Sequence, residues 1–139
     1  MARDTEDLEA IRLDLRAQVD QLADERQQYL EFFERSPEAY LVTEADGTIC
    51  AANGAAVDIL QRRKHHLRGK PFAALIALER RREFRRRLRA LLARAVDAQG
   101  SWRTIIESPE LRTEVTLTGR PIDRAGTVSG ICWRLEALT

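Results

Sequence analysis

The stretch from Ala39 to Leu60, AYLVTEADGTICAANGAAVDIL, decides the fold. It opens on the apolar β-formers Tyr40, Leu41 and Val42, reaches Asp46-Gly47, and resumes as Thr48-Ile49-Cys50-Ala51-Ala52. Asp-Gly between two apolar runs signals a hairpin, because glycine accepts the positive φ of the turn. Asn53-Gly54 is a second break. The six residues after it lack period-two alternation and are rich in alanine, which predicts a helix rather than a third strand. Asn53 then caps that helix, its side-chain oxygen accepting from a free backbone N–H. The local order is strand, tight turn, strand, Asn-capped helix.

Two further segments extend the pattern downstream. Leu67-Arg68-Gly69-Lys70-Pro71-Phe72 precedes a short apolar helical region, and Thr127-Val128-Ser129-Gly130-Ile131-Cys132-Trp133-Arg134-Leu135 follows the turn at Gly126. The ordered set, from about residue 29 to 139, resembles a PAS sensory domain, whose members carry an L-x-G-K/R-P-F segment at this place. The resemblance implies an α+β fold: a five-stranded antiparallel sheet with short helices on one face and a long N-terminal helix on the other. Residues 1–36 are read as that amphipathic, coiled-coil-like helix and residues 37–139 as the PAS domain.

A chain of 139 residues suits one domain with a core that needs no staples. Its hydrophobic fraction of 44% argues against disorder. No apolar run is long enough for a membrane span, and the acidic N-terminus is unlike a secretory signal; a cytoplasmic chain with no membrane contact is expected. Cys50 and Cys132 make no disulfide framework. In the PAS strand order another strand lies between theirs, about 10 Å across two strand spacings, beyond disulfide reach. Buried free thiols are expected.

A net charge of +1 hides an asymmetry. Residues 1–38 carry five Arg against eleven Asp and Glu, and residues 61–94 carry thirteen Arg and Lys against Glu79 and Glu83. An acidic arm and a basic middle invite contact with each other or with partners.

From about Thr5 to Arg35 the sequence predicts one helix, roughly 45 Å long at 1.5 Å per residue, ended by Pro37. Leu8, Leu15, Leu22 and Tyr29 recur every seven residues, and Ile11 and Phe32 take the alternate heptad position. Gln18 and Glu25 interrupt the seam. A homodimer paired through Leu8, Ile11, Leu15, Leu22, Tyr29, Phe32 and Phe33 is expected; the alternative is a single amphipathic helix covering one sheet.

Gln61 to Arg68 reads as a basic connector with one turn of helix. His65 and His66, adjacent in sequence, do not share a helix face and have no Cys, Asp or Glu at ligand spacing, so no metal site is expected. Pro71 starts a short helical piece with Phe72, Leu75, Ile76 and Leu78. A longer helix from Glu79 to Val96 follows, its stripe formed by Phe84, Leu88, Leu91, Leu92 and Ala95. The other face holds Arg80, Arg81, Arg82, Arg85, Arg86, Arg87 and Arg89. Nucleic acid is one reading of residues 79–94. No aromatic interleaves the arginines, which favours a solvated face or a docking surface for acidic groups.

Ser101–Glu107 reads as a strand, Ser108–Glu110 as a turn, and Leu111–Leu117 as a strand of period two. Pro121–Gly126 reads as a loop and Val128–Leu135 as the last strand. On it Ile131, Trp133 and Leu135 share one face and Val128, Gly130 and Cys132 the other, so both faces need cover.

No enzyme constellation is visible: there is no G-x-S-x-G, P-loop or Rossmann fingerprint, and no triad setting for either His. The PAS resemblance implies a cavity between the central helices and the concave sheet. Its candidate lining is Tyr40, Val42, Val57, Leu60, Leu75, Ile76, Phe84, Leu88, Ile105, Val115, Leu117 and Trp133. These residues either hold a small apolar ligand or pack a dry core. Flavin-binding members carry N-C-R-F-L-Q and haem-binding members a His on the long central helix. This chain has neither, which disfavours both cofactors. At the end, where the family reads D-I-T, Ala137 replaces the Asp and Thr139 matches the Thr. The whole is expected to be a sensory and homodimerisation module of bacterial signal transduction, coupled to an output domain or signalling partner. A ligand-free interaction scaffold is the alternative.

Overall fold

The computed structural model describes residues 2–93 and 100–138. The chain divides into two compact units, Met1–Phe33 and Glu34–Thr139. The first unit is nearly all of helix α1, Ala2–Arg35. No proline or glycine interrupts its 34 residues, about 51 Å of helix. Leu8, Ile11, Leu15, Leu22, Tyr29 and Phe32 are all more than half exposed, whereas Phe33 is half-buried.

The second unit is built on five strands: β1 (Ala39–Glu44), β2 (Ile49–Ala52), β3 (Ser101–Glu107), β4 (Arg112–Arg124) and β5 (Thr127–Ala137). They pair antiparallel in the order β2-β1-β5-β4-β3, with β5 in the middle. β1 lies between β2 and β5, so the strands of Cys50 and Cys132 are separated as expected. Both thiols are free and half-buried rather than buried.

The β1–β2 turn forms where Asp-Gly stands. Gly47 has φ +92°, and Asp46 Oδ1 accepts from the Thr48 N–H at 2.9 Å. Asn53 begins helix α2 (Gly54–Leu60) as its cap. A single turn, α3 (Lys64–Leu67), follows. The segment after it runs along the free edge of β2: the Gly69 N–H donates to the Ile49 carbonyl, the Ile49 N–H to that of Lys70, and the Phe72 N–H to that of Gly47. These bonds cover an edge strand that would otherwise be open, and they aim Phe72 into the core. A 3₁₀ turn at Phe72–Leu75 leads to Ile76, which bridges to Ile106 on the opposite edge of the sheet.

The helix predicted from Glu79 starts later, because Leu78–Arg80 is a 3₁₀ turn; helix α4 spans Arg81–Leu92. Ala95 and Val96 lie outside the described residues. The predicted loop at Pro121–Gly126 is corrected. β4 continues to Arg124, with Pro121 opposite Ile131 and Ile122 opposite Gly130. β3 pairs with β4 only as far as Thr118, so Pro121 lies beyond that pairing, where a strand tolerates proline. The reversal is a two-residue turn, Ala125-Gly126, with φ +53° and +81°, the backbone of a type I′ hairpin.

One sheet face carries the core. Leu41, Ile49, Trp102, Ile106, Val115, Leu117, Ile131, Trp133 and Leu135 pack against Ala56, Leu60, Leu67, Phe72, Leu75, Ile76, Phe84, Leu88 and Leu91. This is the α+β architecture expected, with the short helices on one face of the sheet.

Candidate functional site

Trp133 is the centre of that core. Its side chain leaves β5, is fully buried, and meets Phe72, Phe84 and Trp102 at ring-centroid distances of 5.5, 5.3 and 6.0 Å. Phe72 and Phe84 contact each other edge to face at 5.1 Å. Such offset and edge contacts suit the aromatic quadrupole. The indole N–H donates to Thr43 Oγ1 at 2.9 Å, which satisfies a donor that would be expensive to bury alone. Gly119 sits opposite Trp133 in the β4–β5 pair. A Cβ there would lie 2.7 Å from Leu91 Cδ1 and 2.8 Å from Trp133 Cζ3, so the indole occupies the space that a side chain on β4 would need.

Asn53 holds the entry to this layer. Its Oδ1 accepts from the N–H groups of Tyr40 and Ala56, each at 3.0 Å, and its Nδ2 donates to the Glu38 carbonyl at 2.8 Å. One buried side chain thereby joins the start of β1 to the start of α2. Beside it a cleft of about 430 Å³ is lined by Pro37–Ala39, by Ala55, Asp58 and Ile59 of α2, and by Arg134–Ala137 at the end of β5. The stretch entering the sheet and the strand leaving it thus share one wall.

The outer sheet face is more polar. Tyr40, Thr118, Arg120, Cys132 and Arg134 border a cleft of about 230 Å³. Tyr40 donates its hydroxyl proton to the Glu38 carboxylate, and that bond raises its pKa above the usual phenol value. Burial raises the Cys132 thiol, and the Arg120 charge opposes the shift.

A family model described as the PAS fold matches residues 33–139. The chain belongs to the PAS family. Solved PAS structures share its fold. That of an HTR-like protein from Haloarcula marismortui has TM-score 0.73 at 17% identity, covering 88% of this chain and 99% of that one. The PAS domain of a LuxR-family transcriptional regulator from Burkholderia thailandensis, in complex with ethanol, has TM-score 0.63 at 20% identity, covering 79% and 96%. That of nitrogen regulation protein NR(II) from Vibrio parahaemolyticus has TM-score 0.56 at 15% identity, covering 78% and 95%. No curated protein sequence matches the chain.

Of the residues assigned to a PAS cavity, Leu60, Leu75, Ile76, Phe84, Leu88, Val115, Leu117 and Trp133 come together in one buried cluster, with Val57 packed at its border. Tyr40, Val42 and Ile105 do not belong to it. Side chains alternate along a strand, and the inward set is Ala39, Leu41 and Thr43 on β1 and Trp102, Thr104 and Ile106 on β3. Tyr40, Val42 and Ile105 occupy the other parity. Thr43, Phe72, Trp102 and Gly119 were absent from the predicted lining; the aromatic types of Phe72 and Trp102 were its available signal. Leu91 and the Trp133 ring leave no room for a methyl group at Gly119.

The long helix of this PAS domain presents Arg82, Arg85, Arg86 and Arg89 to solvent, a stripe along one side at helical spacing. Arg87 turns inward instead, stacking over Trp102 with its guanidinium carbon 4.9 Å from the ring centre. His65 and His66 rings lie 4.1 Å apart, and the neighbouring His65 charge lowers the His66 pKa. Among the described residues no three His, Cys, Asp or Glu side chains are grouped to hold a metal.

Proposed function

We propose that this PAS domain is a cytoplasmic sensory and homodimerisation module of a bacterial-type signalling protein, passing a change in its core to flanking helices. The observation that carries the reading is the row of apolar side chains on α1. Leu8, Ile11, Leu15, Leu22 and Tyr29 keep heptad spacing and are 55–77% exposed, a seam whose burial in a partner helix is favourable. A shift of Trp133 moves β5, and the end of β5 shares a cleft with Pro37–Ala39, which follow directly on α1. Glu34, the first residue of the second unit, pairs with Lys64 of α3. An output domain or partner protein reads the change in helix geometry.

A second reading, a ligand-free interaction scaffold, is supported by the close aromatic packing around Trp133. A native mass spectrum separates the two. A dimer carrying a bound small molecule supports sensing, a dimer of bare chains supports the scaffold, and a bare monomer contradicts both.

A further inference from the structure

A third cleft, of about 390 Å³, lies between the β1–β2 turn, the Pro71–Ala74 segment and α4. Its volume is that of a small-molecule site. Phe84 and Leu88 form its apolar floor and Pro71 one wall, while Arg81, Arg85 and Asp46 supply the charges. Arg81 is held in place: its Nε donates to the Ile76 carbonyl at 2.9 Å and its Nη2 to the Ala74 carbonyl at 3.3 Å. Two of the guanidinium's five N–H donors are used in this way, and no further partner of Arg81 is found among the described residues. Arg85, one helical turn on, is exposed and has no ion-pair partner among the described residues. Asp46 is ionised, the Thr48 backbone N–H holding its pKa below the usual carboxylate value.

We propose that this cleft binds a small organic monocarboxylate with an apolar body. Two guanidinium groups against one carboxylate leave a single positive charge to be matched. The planar forks of Arg81 and Arg85 suit a carboxylate, and Asp46 repels a second negative charge. The apolar floor takes an aliphatic or single-ring body. Phe84 is both floor of the cleft and neighbour of Trp133 at 5.3 Å, so an occupant acts on the centre of the sheet from outside the aromatic cluster. Calling that occupant a signal rests on the sensory reading; its binding does not.

The test is a titration of the full chain with 3-phenylpropionate, followed by the nitrogen-15 NMR signal of the Trp133 indole N–H and checked by calorimetry. Saturable binding is expected, together with a shift of that signal. Arg85→Gln, at an exposed position, is expected to keep the circular dichroism spectrum and weaken binding about tenfold, the effect of one charge-assisted hydrogen bond. The uncharged 3-phenylpropan-1-ol is expected not to saturate. No saturation by the acid up to about 10 mM, a range that still detects very weak sites, would overturn the proposal. So would equal binding of the alcohol, or unchanged binding by Arg85→Gln. A protein that binds the acid but does not dimerise contradicts only the homodimer reading.

Discussion

Trp133 and Thr43 are ninety positions apart in sequence and joined by a 2.9 Å hydrogen bond inside the core. The bond crosses from β5 to β1, the two strands closest to the chain's entry and exit. Both residues are essentially inaccessible to water. Thr43→Val keeps the shape of the side chain and strands the indole N–H. We expect a loss of about 1–3 kcal/mol, the desolvation penalty of an unsatisfied buried donor. Urea denaturation reads it as a lower midpoint at unchanged slope; a variant as stable as the parent would deny the bond its role.

Gly119 is a packing position rather than a flexible one. Gly119→Ala drives a methyl group into Leu91 and Trp133 and is expected to destabilise by about 1–3 kcal/mol. Adding Leu91→Ala relieves one of the two clashes, so the double variant should lose less than the sum of the single losses. Strict additivity in denaturation experiments would show that the methyl group finds room elsewhere.

Asn53 makes three hydrogen bonds at once, to the Tyr40 and Ala56 N–H groups and to the Glu38 carbonyl. Asn53→Ala removes a buried helix cap and two further, partly buried bonds, an expected loss of about 2–4 kcal/mol. Thermal unfolding measures it. A loss no larger than that of an exposed cap would mean that the joint between β1 and α2 is made by other residues.

Cys132 adds a pH dependence. Burial raises its thiol pKa in the fold, so the folded state holds the proton more tightly than the unfolded chain. The stabilisation is complete below the ordinary thiol pKa of about 8.5 and is lost as pH rises through the raised folded value. Stability measured across this alkaline range should therefore fall less steeply in Cys132→Ala than in the parent. Parallel curves would contradict the raised thiol pKa.

The local features of the fold were legible because short stretches encode them. Asp46-Gly47 specifies its own turn and Asn53 its own cap, whatever the rest of the chain does. The inward parity of β1 was not legible. Ala39-Tyr40-Leu41-Val42 is apolar without a break, so its faces are separated only by the partner strand, which puts Leu41 opposite Trp133. Ile105 and Ile106 posed the same ambiguity on β3. Pro121 was misread as a loop because β3 ends before it, a fact of sheet length that no local pattern contains. The Trp133–Thr43 bond lies further from view still, since it exists only once β5 inserts beside β1.

The central claim is that two copies of this PAS domain pair through the apolar seam of α1. Sedimentation equilibrium of the full chain beside Leu15→Asp/Leu22→Asp tests it most directly. A dimer is expected for the parent and a folded monomer for the double variant; a monomeric parent, or a dimer that survives both aspartates, would contradict pairing through α1.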